Sequence, residues 1–250
     1  MASDTSRAMV TLGVLLALGM AAAAFIFGVQ AKQIGASKQS ITVKGLAEKP
    51  VQAGSAEWHI GLRVSGDTFV EALAKLRKLR PVLDDFLTRQ GFVAGALTPS
   101  DEEVLPNMVE AETAGGRVHQ VQKGYIASQE IVVTSKELPK IAAANKAALQ
   151  LQADGRPVYY SAPMFLVSNL EEIKMSLIGA ATQNAQKRAE EFAKVGNVKV
   201  GAMRSASQGA FYILAAGAEA GSDDYGGTYD KSTVDKTARV VVTIDYTIER

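Results

Sequence analysis

The sequence contains no cysteine, which excludes disulfide bonds, thiolate metal sites and cysteine nucleophiles. This absence does not decide the compartment, because cytosolic and envelope proteins can both lack cysteine. Histidine occurs only at His59 and His119, without the close spacing of metal-binding pairs. We interpret both as histidines on strand surfaces, and we therefore predict no metal site.

The chain also lacks an excess of either charge: 27 basic and 26 acidic residues leave a net charge of +1. A nucleic-acid partner is not expected, since such partners usually require a clustered basic surface. One basic cluster in a predicted helix is interpreted as a solvated face balanced by nearby acids, with anionic lipid or an acidic partner as the alternative. It consists of Lys75, Arg77, Lys78 and Arg80 beside Asp84 and Asp85.

Catalytic signatures are missing as well. The sequence has no nucleophile elbow, phosphate-binding glycine loop, dinucleotide fingerprint or zinc-protease motif. Asp223, Asp224 and Asp230 surround a Tyr-Gly-Gly sequence but lack the alternate spacing of calcium ligands, so they indicate a surface loop. We predict that the protein is not an enzyme, and we assign no catalytic or cofactor-binding residue and no cofactor.

A long uncharged run occupies residues 8–29. As a helix with a rise of about 1.5 Å per residue, this run would span roughly 30 Å, the hydrocarbon thickness of a bilayer. We predict a transmembrane signal-anchor helix here, preceded by a short tail (1–7) and followed by a linker (30–39). A signal peptide cleaved after Ala31 and a buried core helix are the alternatives. The flanking charges leave the sidedness open.

The rest of the chain, residues 40–250, mixes strand and helix patterns. Period-two alternation predicts strands around Trp58–Val64 and Arg239–Ile248, and helical spacing predicts three helices. The helices are expected over 67–90, 135–154 and 168–195, with a kink or break before Pro81. Together these patterns predict an α+β fold with antiparallel or mixed sheets.

Finer expectations concern pairing and packing. We expect one hairpin between residues 41–43 and 58–64, and another around Gly115-Gly116. The last helix should place a stripe against a sheet, and its small alanines should permit close approach. That stripe consists of Ile173, Leu177, Ala181, Ala185, Ala189, Phe192 and Val195. Residues 210–232 are rich in small and polar residues and predict a mobile loop. Two subdomains are an alternative to one domain.

Several of these segments, taken in order, resemble the SIMPL-domain family. Ile41-Thr42-Val43-Lys44-Gly45 resembles the family's opening strand, and the alanine- and charge-rich helix over 168–195 is similar to its long helix. Gly124-Tyr125, followed by a β-rich run, and the closing strand 239–248 also match. The likeness extends over roughly residues 40–250. One departure is that Pro50 precedes Val51, where family members commonly have Pro-Asp.

The resemblance implies an α+β domain exported to the bacterial periplasm, self-association that includes ring-like assemblies, and links to envelope or oxidative stress. It offers no catalytic residues to transfer. Our leading hypothesis is a non-enzymatic, single-pass inner-membrane protein whose periplasmic domain self-assembles as a scaffold or ring. Its expected partners are further copies of the chain and, through residues 8–29, the lipid bilayer. The alternative is a periplasmic module that binds an unknown small ligand or envelope polymer; an enzyme is the third reading.

Overall fold

The computed structural model describes residues 13, 16–26, 39–112, 118–218 and 227–249. Their strands are β1 (Ser40–Gln52), β2 (Ser55–Gly66), β3 (Leu97–Pro99), β4 (Glu103–Glu112), β5 (Val118–Ser135), β6 (Val158–Tyr160), β7 (Met164–Leu166), β8 (Lys199–Ala215) and β9 (Asp235–Glu249). The long helices are α1 (Phe69–Arg89), α2 (Leu138–Ala153) and α3 (Leu170–Val195), with a short 3-10 helix at Ala94–Ala96. The predicted α+β class is confirmed.

Residues 16–26 are helical. Within the part of the chain that the structure describes, no helix combines the length and the apolar character needed to cross a bilayer. The other residues of the predicted anchor 8–29, except residue 13, lie outside the described residues, as do the tail 1–7 and the linker residues 30–38.

The described chain divides into two compact units. The larger, residues 49–174 and 212–238, contains an antiparallel sheet of order β3-β5-β2-β6, with β4 also on β5 and β7 also on β2. Strands β2 and β5 pair from Ala56↔Ser135 to Gly66↔Tyr125. Alternate residues of both strands face α1 and α2, and this alternation forms the core. Its fully buried side chains include Trp58, Ile60, Leu76, Leu87, Ile131, Val133 and Ile141.

The smaller unit comprises the described residues within 1–48, 175–211 and 239–250, and it holds most of the three-stranded sheet β1-β9-β8. Helix α3 buries a stripe of small residues: Leu177, Ala181, Ala185, Ala189 and Ala193. A Cβ atom at Gly45 of β1 would lie only 2.0 Å from the carbonyl oxygen of Ala181. The predicted close approach of this helix to a sheet is therefore confirmed, and it requires glycine at position 45.

The structure corrects four local predictions. Strand β1 belongs to the sheet with β9, so the expected hairpin between β1 and β2 is wrong. Helix α1 continues through Pro81, so the predicted break does not occur, and the helix begins at Phe69 after its N-cap Thr68. Phe192 and Val195 are 62% and 88% exposed instead of belonging to the buried stripe. The second predicted hairpin does form between β4 and β5, although its turn, 113–117, lies outside the described residues.

The fourth difference concerns the loop predicted over 210–232. Strand β8 extends to Ala215, and residues 219–226 lie outside the described part. After residue 226 the backbone pairs with strand β8, because Tyr229 forms a parallel bridge with Ile213. The N–H of Ile213 donates to the Thr228 carbonyl at 2.7 Å, and the N–H of Asp230 donates to the Ile213 carbonyl at 2.7 Å.

Candidate functional site

The helix-free face of the larger sheet carries a histidine between two carboxylates. On β2, Glu57 and His59 alternate with the buried Trp58, so both point away from the helices. Strand β5 adds Glu130. The His59 Nδ1 atom lies 2.7 Å from Glu130 Oε1, and its Nε2 atom lies 2.8 Å from Glu57 Oε1. The side chains are 27–33% exposed, so the cluster remains open to water.

The two carboxylates favour the charged imidazolium. The hydrogen bond with Glu130 raises the pKa of His59, partial burial acts in the opposite direction, and Glu57 raises it further; the net shift is upward from 6.5. In the protonated ring both nitrogens donate, one to each carboxylate. In that protonated state neither nitrogen can take a proton from a substrate, and the ring braces β2 against β5.

A tyrosine and an arginine lie beside this cluster. The ring of Tyr159 lies directly over Gly61, where an added Cβ would be 2.6 Å from the ring carbon that bears the hydroxyl. The Arg63 guanidinium is 5.1 Å from the centre of the same ring, within the range of a cation–π contact. Burial raises the pKa of Tyr159, and the negative charge of Glu130 adds to that rise. The face is thus polar and charged, with a small residue that admits the ring.

A second charged cluster lies in the same unit and contains a buried lysine, while its aspartate side chain is 16% exposed. Lys236 on β9 is 1% exposed, and its Nζ donates to the Asp230 carbonyl at 2.6 Å and to Asp230 Oδ2 at 2.8 Å. The Asp230 carboxylate also accepts bonds from the backbone and hydroxyl groups of Ser232 and Thr233. Partial burial alone would raise the pKa of Asp230, but these donors together hold it well below its ordinary value. The cluster fixes the segment that leads into β9.

The other residues singled out in the sequence form ion pairs, lie exposed on a strand or fall outside the described residues. In the basic cluster of α1, Lys75 pairs with Glu71, Arg77 with Glu102 and Arg80 with Asp84. His119 lies on the exposed part of β5, opposite Ala111. Asp223 and Asp224 lie outside the described residues. Among the described residues, no group of three or more histidine, aspartate or glutamate side chains is arranged to hold a metal ion.

Sequence reasoning missed the His59 cluster for an identifiable reason. Glu57 and His59 share a face because they are two residues apart on a strand, and this signal was available in the sequence. Glu130 lies 71 residues later, and only the pairing of β2 with β5 brings it to the ring. The burial of Lys236 was not predicted either, because a lysine at the start of a strand normally indicates an exposed position.

The two outer strands of the smaller sheet differ in how they are covered. Strand β9, between them, buries every second residue from Lys236 to Tyr246. Outer strand β8 instead exposes eight consecutive residues, Ala202–Gly209, so neither face of this stretch is covered. Outer strand β1 borders a groove of about 750 Å³ whose other wall is the α3 face from Asn184 to Val195.

Comparison with protein-family models matches residues 41–246 to SIMPL, a protein of unknown function (DUF541). The match covers most of the chain, so this protein belongs to the SIMPL family, and the predicted resemblance is confirmed. No curated protein matches the chain. The family description assigns no activity, so function has to be argued from the surfaces described above.

Proposed function

We propose that this SIMPL domain is a non-enzymatic, self-assembling module of the bacterial envelope. The observation that supports self-assembly is the outer strand β8, with eight consecutive exposed residues, Ala202–Gly209. An exposed, long outer strand presents unpaired backbone donors and acceptors, which template pairing with another chain. Strand β9 of the same sheet, by contrast, buries every second residue, as expected for a strand that is covered on one face.

The proposal includes the tether. We infer that residues 8–29 hold the chain in the inner membrane with the folded domain in the periplasm, because the uncharged run has the length of a membrane span. Confinement to a membrane raises the effective concentration of neighbouring copies, so a modest interface is sufficient for assembly. A role in envelope or oxidative stress follows from the family resemblance and belongs to the same proposal.

The mass of the native particle tests self-assembly. The full chain is extracted from membranes with mild detergent and weighed by light scattering that corrects for bound detergent. We expect one discrete species of at least twice the 26.4 kDa of the chain. A monomer at the protein density of the native membrane would contradict self-assembly. Mature chains in the soluble fraction that begin beyond Ala31 would contradict the tether alone.

A second candidate function, ligand binding, rests on the groove between β1 and α3. Its volume of about 750 Å³ lies in the range of small-molecule pockets. Lys44, Lys187 and Arg188 line it with a single acid, Glu191, so an acidic ligand would suit it. A thermal-shift screen with acidic envelope glycans and metabolites tests this candidate. A stabilising ligand should lose its effect in Lys187→Gln, and a screen without any stabilising ligand would contradict the candidate.

A further inference from the structure

The two outer strands of the sheet β1-β9-β8 are not equally available for pairing. Gln39 accepts a bond from the N–H of Ile248, and Gln52 lies beside Asp235, so β1 runs antiparallel to β9. Successive residues of an antiparallel strand direct their backbone groups to opposite sides. Because Gln39 faces β9, the even-numbered residues of β1 direct theirs to the outer edge.

Helix α3 already occupies that outer edge of β1. The Arg188 guanidinium donates to the carbonyl of Lys44 at 3.1 Å, and the N–H of Leu46 donates to the Asn184 side-chain oxygen at 3.1 Å. These two side chains replace two of the bonds that an added strand would supply, in the middle of β1. A strand from another molecule would first have to displace them, so β1 is a protected edge.

The outer edge of β8 is occupied at one end only. Ile213 exchanges backbone bonds with Thr228 and Asp230, and this contact closes the edge there. From Ala202 to Gly209, β8 has no ladder partner other than β9 among the described residues. This segment contains a single charged residue, Arg204, and no proline. Charges and prolines are the usual means by which proteins block an outer strand, so the segment is poorly defended.

We propose that Ala202–Gly209 pairs with the same segment of a second copy, antiparallel and across a two-fold axis. The proposal rests on the self-assembly proposed above and specifies its interface. Since β1 is capped, pairing of β8 with β1 of the next molecule is disfavoured, and the open edge that remains is complementary to itself. Two copies of one antiparallel edge meet in an isologous contact that closes as a dimer. The result is a continuous sheet, β1-β9-β8-β8-β9-β1.

Charge selects the register of this pairing. With the axis at Ala206, Arg204 lies opposite Gln208 of the second copy, and Ser205 lies opposite Ser207. With the axis at Arg204, two guanidinium groups would face each other directly, and like charges in opposed positions destabilise a sheet. With the axis at Ser205 the two guanidinium groups would be diagonal neighbours, and an axis at Ser207 or beyond would pair fewer of the exposed residues. The pairing therefore centres on Ala206, which lies opposite itself.

Cysteine crosslinking in native membranes tests both the interface and the register, because the chain has no cysteine of its own. In Ala206→Cys the two thiols are directly opposed and should form a disulfide-linked dimer on mild oxidation. The matched control is Ser207→Cys, whose two copies are offset diagonally at about 7–8 Å, too far for efficient bonding. We expect several-fold more crosslinked dimer from Ala206→Cys than from Ser207→Cys.

A double variant separates this arrangement from its rival. If Ala206→Cys crosslinks only when combined with Thr42→Cys on β1, the assembly is head-to-tail and the two-fold pairing is wrong. If Ser207→Cys crosslinks as well as Ala206→Cys, the register is wrong. An intact oligomer in which none of these variants crosslinks would overturn the β8 interface and leave self-assembly standing. A monomeric chain would overturn both proposals.

Discussion

Two charged clusters in the larger unit use similar chemistry in opposite surroundings. Lys236 is 1% exposed and donates to Asp230, whereas the His59 side chain, between Glu57 and Glu130, is 27% exposed. Both clusters hold a cation by more than one bond, but the Lys236 bonds are local, whereas Glu130 lies 71 residues from His59. The two clusters differ in their access to water. Water can replace a lost partner of His59, but it does not reach the buried Lys236.

The two clusters should therefore contribute to stability in different ways, one with a large effect and one with a small effect that depends on pH. A buried charge is costly when its partner is removed, because nothing else compensates it. A partly exposed charge pair contributes much less, since water screens the attraction. The buried cluster should therefore dominate stability at every pH at which Asp230 is ionised. The exposed cluster should make a small contribution that changes near neutral pH.

The largest effect is expected for Asp230→Asn. Removal of the carboxylate leaves Lys236 buried without a counter-charge, and the free energy of unfolding should fall by about 3–5 kcal/mol. The matched variant Lys236→Met keeps the apolar stem, and its remaining Asp230 carboxylate retains the donors from Ser232 and Thr233. It should lose only about 1–2 kcal/mol. Denaturant unfolding at pH 7 measures both.

The direction of the pH dependence provides a second check on the same pair. Because the pKa of Asp230 is lowered in the folded state, its stabilisation is present above its ordinary value of 3.8. It should be lost as the pH falls below that value. Wild type and Asp230→Asn should converge in stability on acidification. Equal losses for Asp230→Asn and Lys236→Met at pH 7 would show that burial is not the deciding difference.

The sequence predicted most where a pattern is local. The alternation in β9 and the alanine stripe of α3 each follow from residues within one element, and both predictions hold. The partner of β1 was not predictable in the same way. Its proximity to β2 suggested a hairpin, but β1 pairs with β9 from the far end of the chain. Strand pairing between distant segments depends on which faces are buried together, which local periodicity does not encode.

The exposed end of α3 illustrates another limit. Phe192 and Val195 follow the helical period of a buried face, yet both are exposed. Periodicity shows which residues share a face of a helix, but it does not show where the opposing sheet ends. The same limit applies to the candidate surfaces. The open edge of β8 and the capped edge of β1 follow from strand order, and one sequence does not provide that order.

A smaller effect, dependent on pH, is expected for His59→Gln. Because the carboxylates raise the pKa of His59 in the folded state, its stabilisation is fully present below the ordinary value of 6.5. It is lost as the pH rises through the higher folded value. Wild type should therefore exceed His59→Gln by at most about 1 kcal/mol at pH 6, and this advantage should shrink by pH 8.5. Thermal unfolding across this range measures the difference.

An advantage that grows with pH would show that the imidazolium is not the stabilising form. Glu130→Gln serves as the matched control, because it removes the carboxylate that contributes most to the raised pKa of His59. That variant should show a weaker pH dependence than wild type while it retains the ring. If Glu130→Gln keeps the full pH dependence, the brace between β2 and β5 does not operate through this pair.

The smallest effect is expected for the ion pair between Arg77, whose side chain is 63% exposed, and Glu102. Arg77 contacts Glu102 with two guanidinium nitrogens, and its Nη2 lies 2.7 Å from Glu102 Oε2. Despite this good geometry, Glu102→Gln should lower the melting temperature less than His59→Gln does at pH 6, because water surrounds the Arg77 side chain. At about 1 M salt the Debye length is roughly 3 Å, so the difference from wild type should disappear. A loss that persists at that salt concentration would show that the hydrogen-bond geometry stabilises the pair beyond the screened attraction. A loss larger than that of His59→Gln at pH 6 would reverse the expected order.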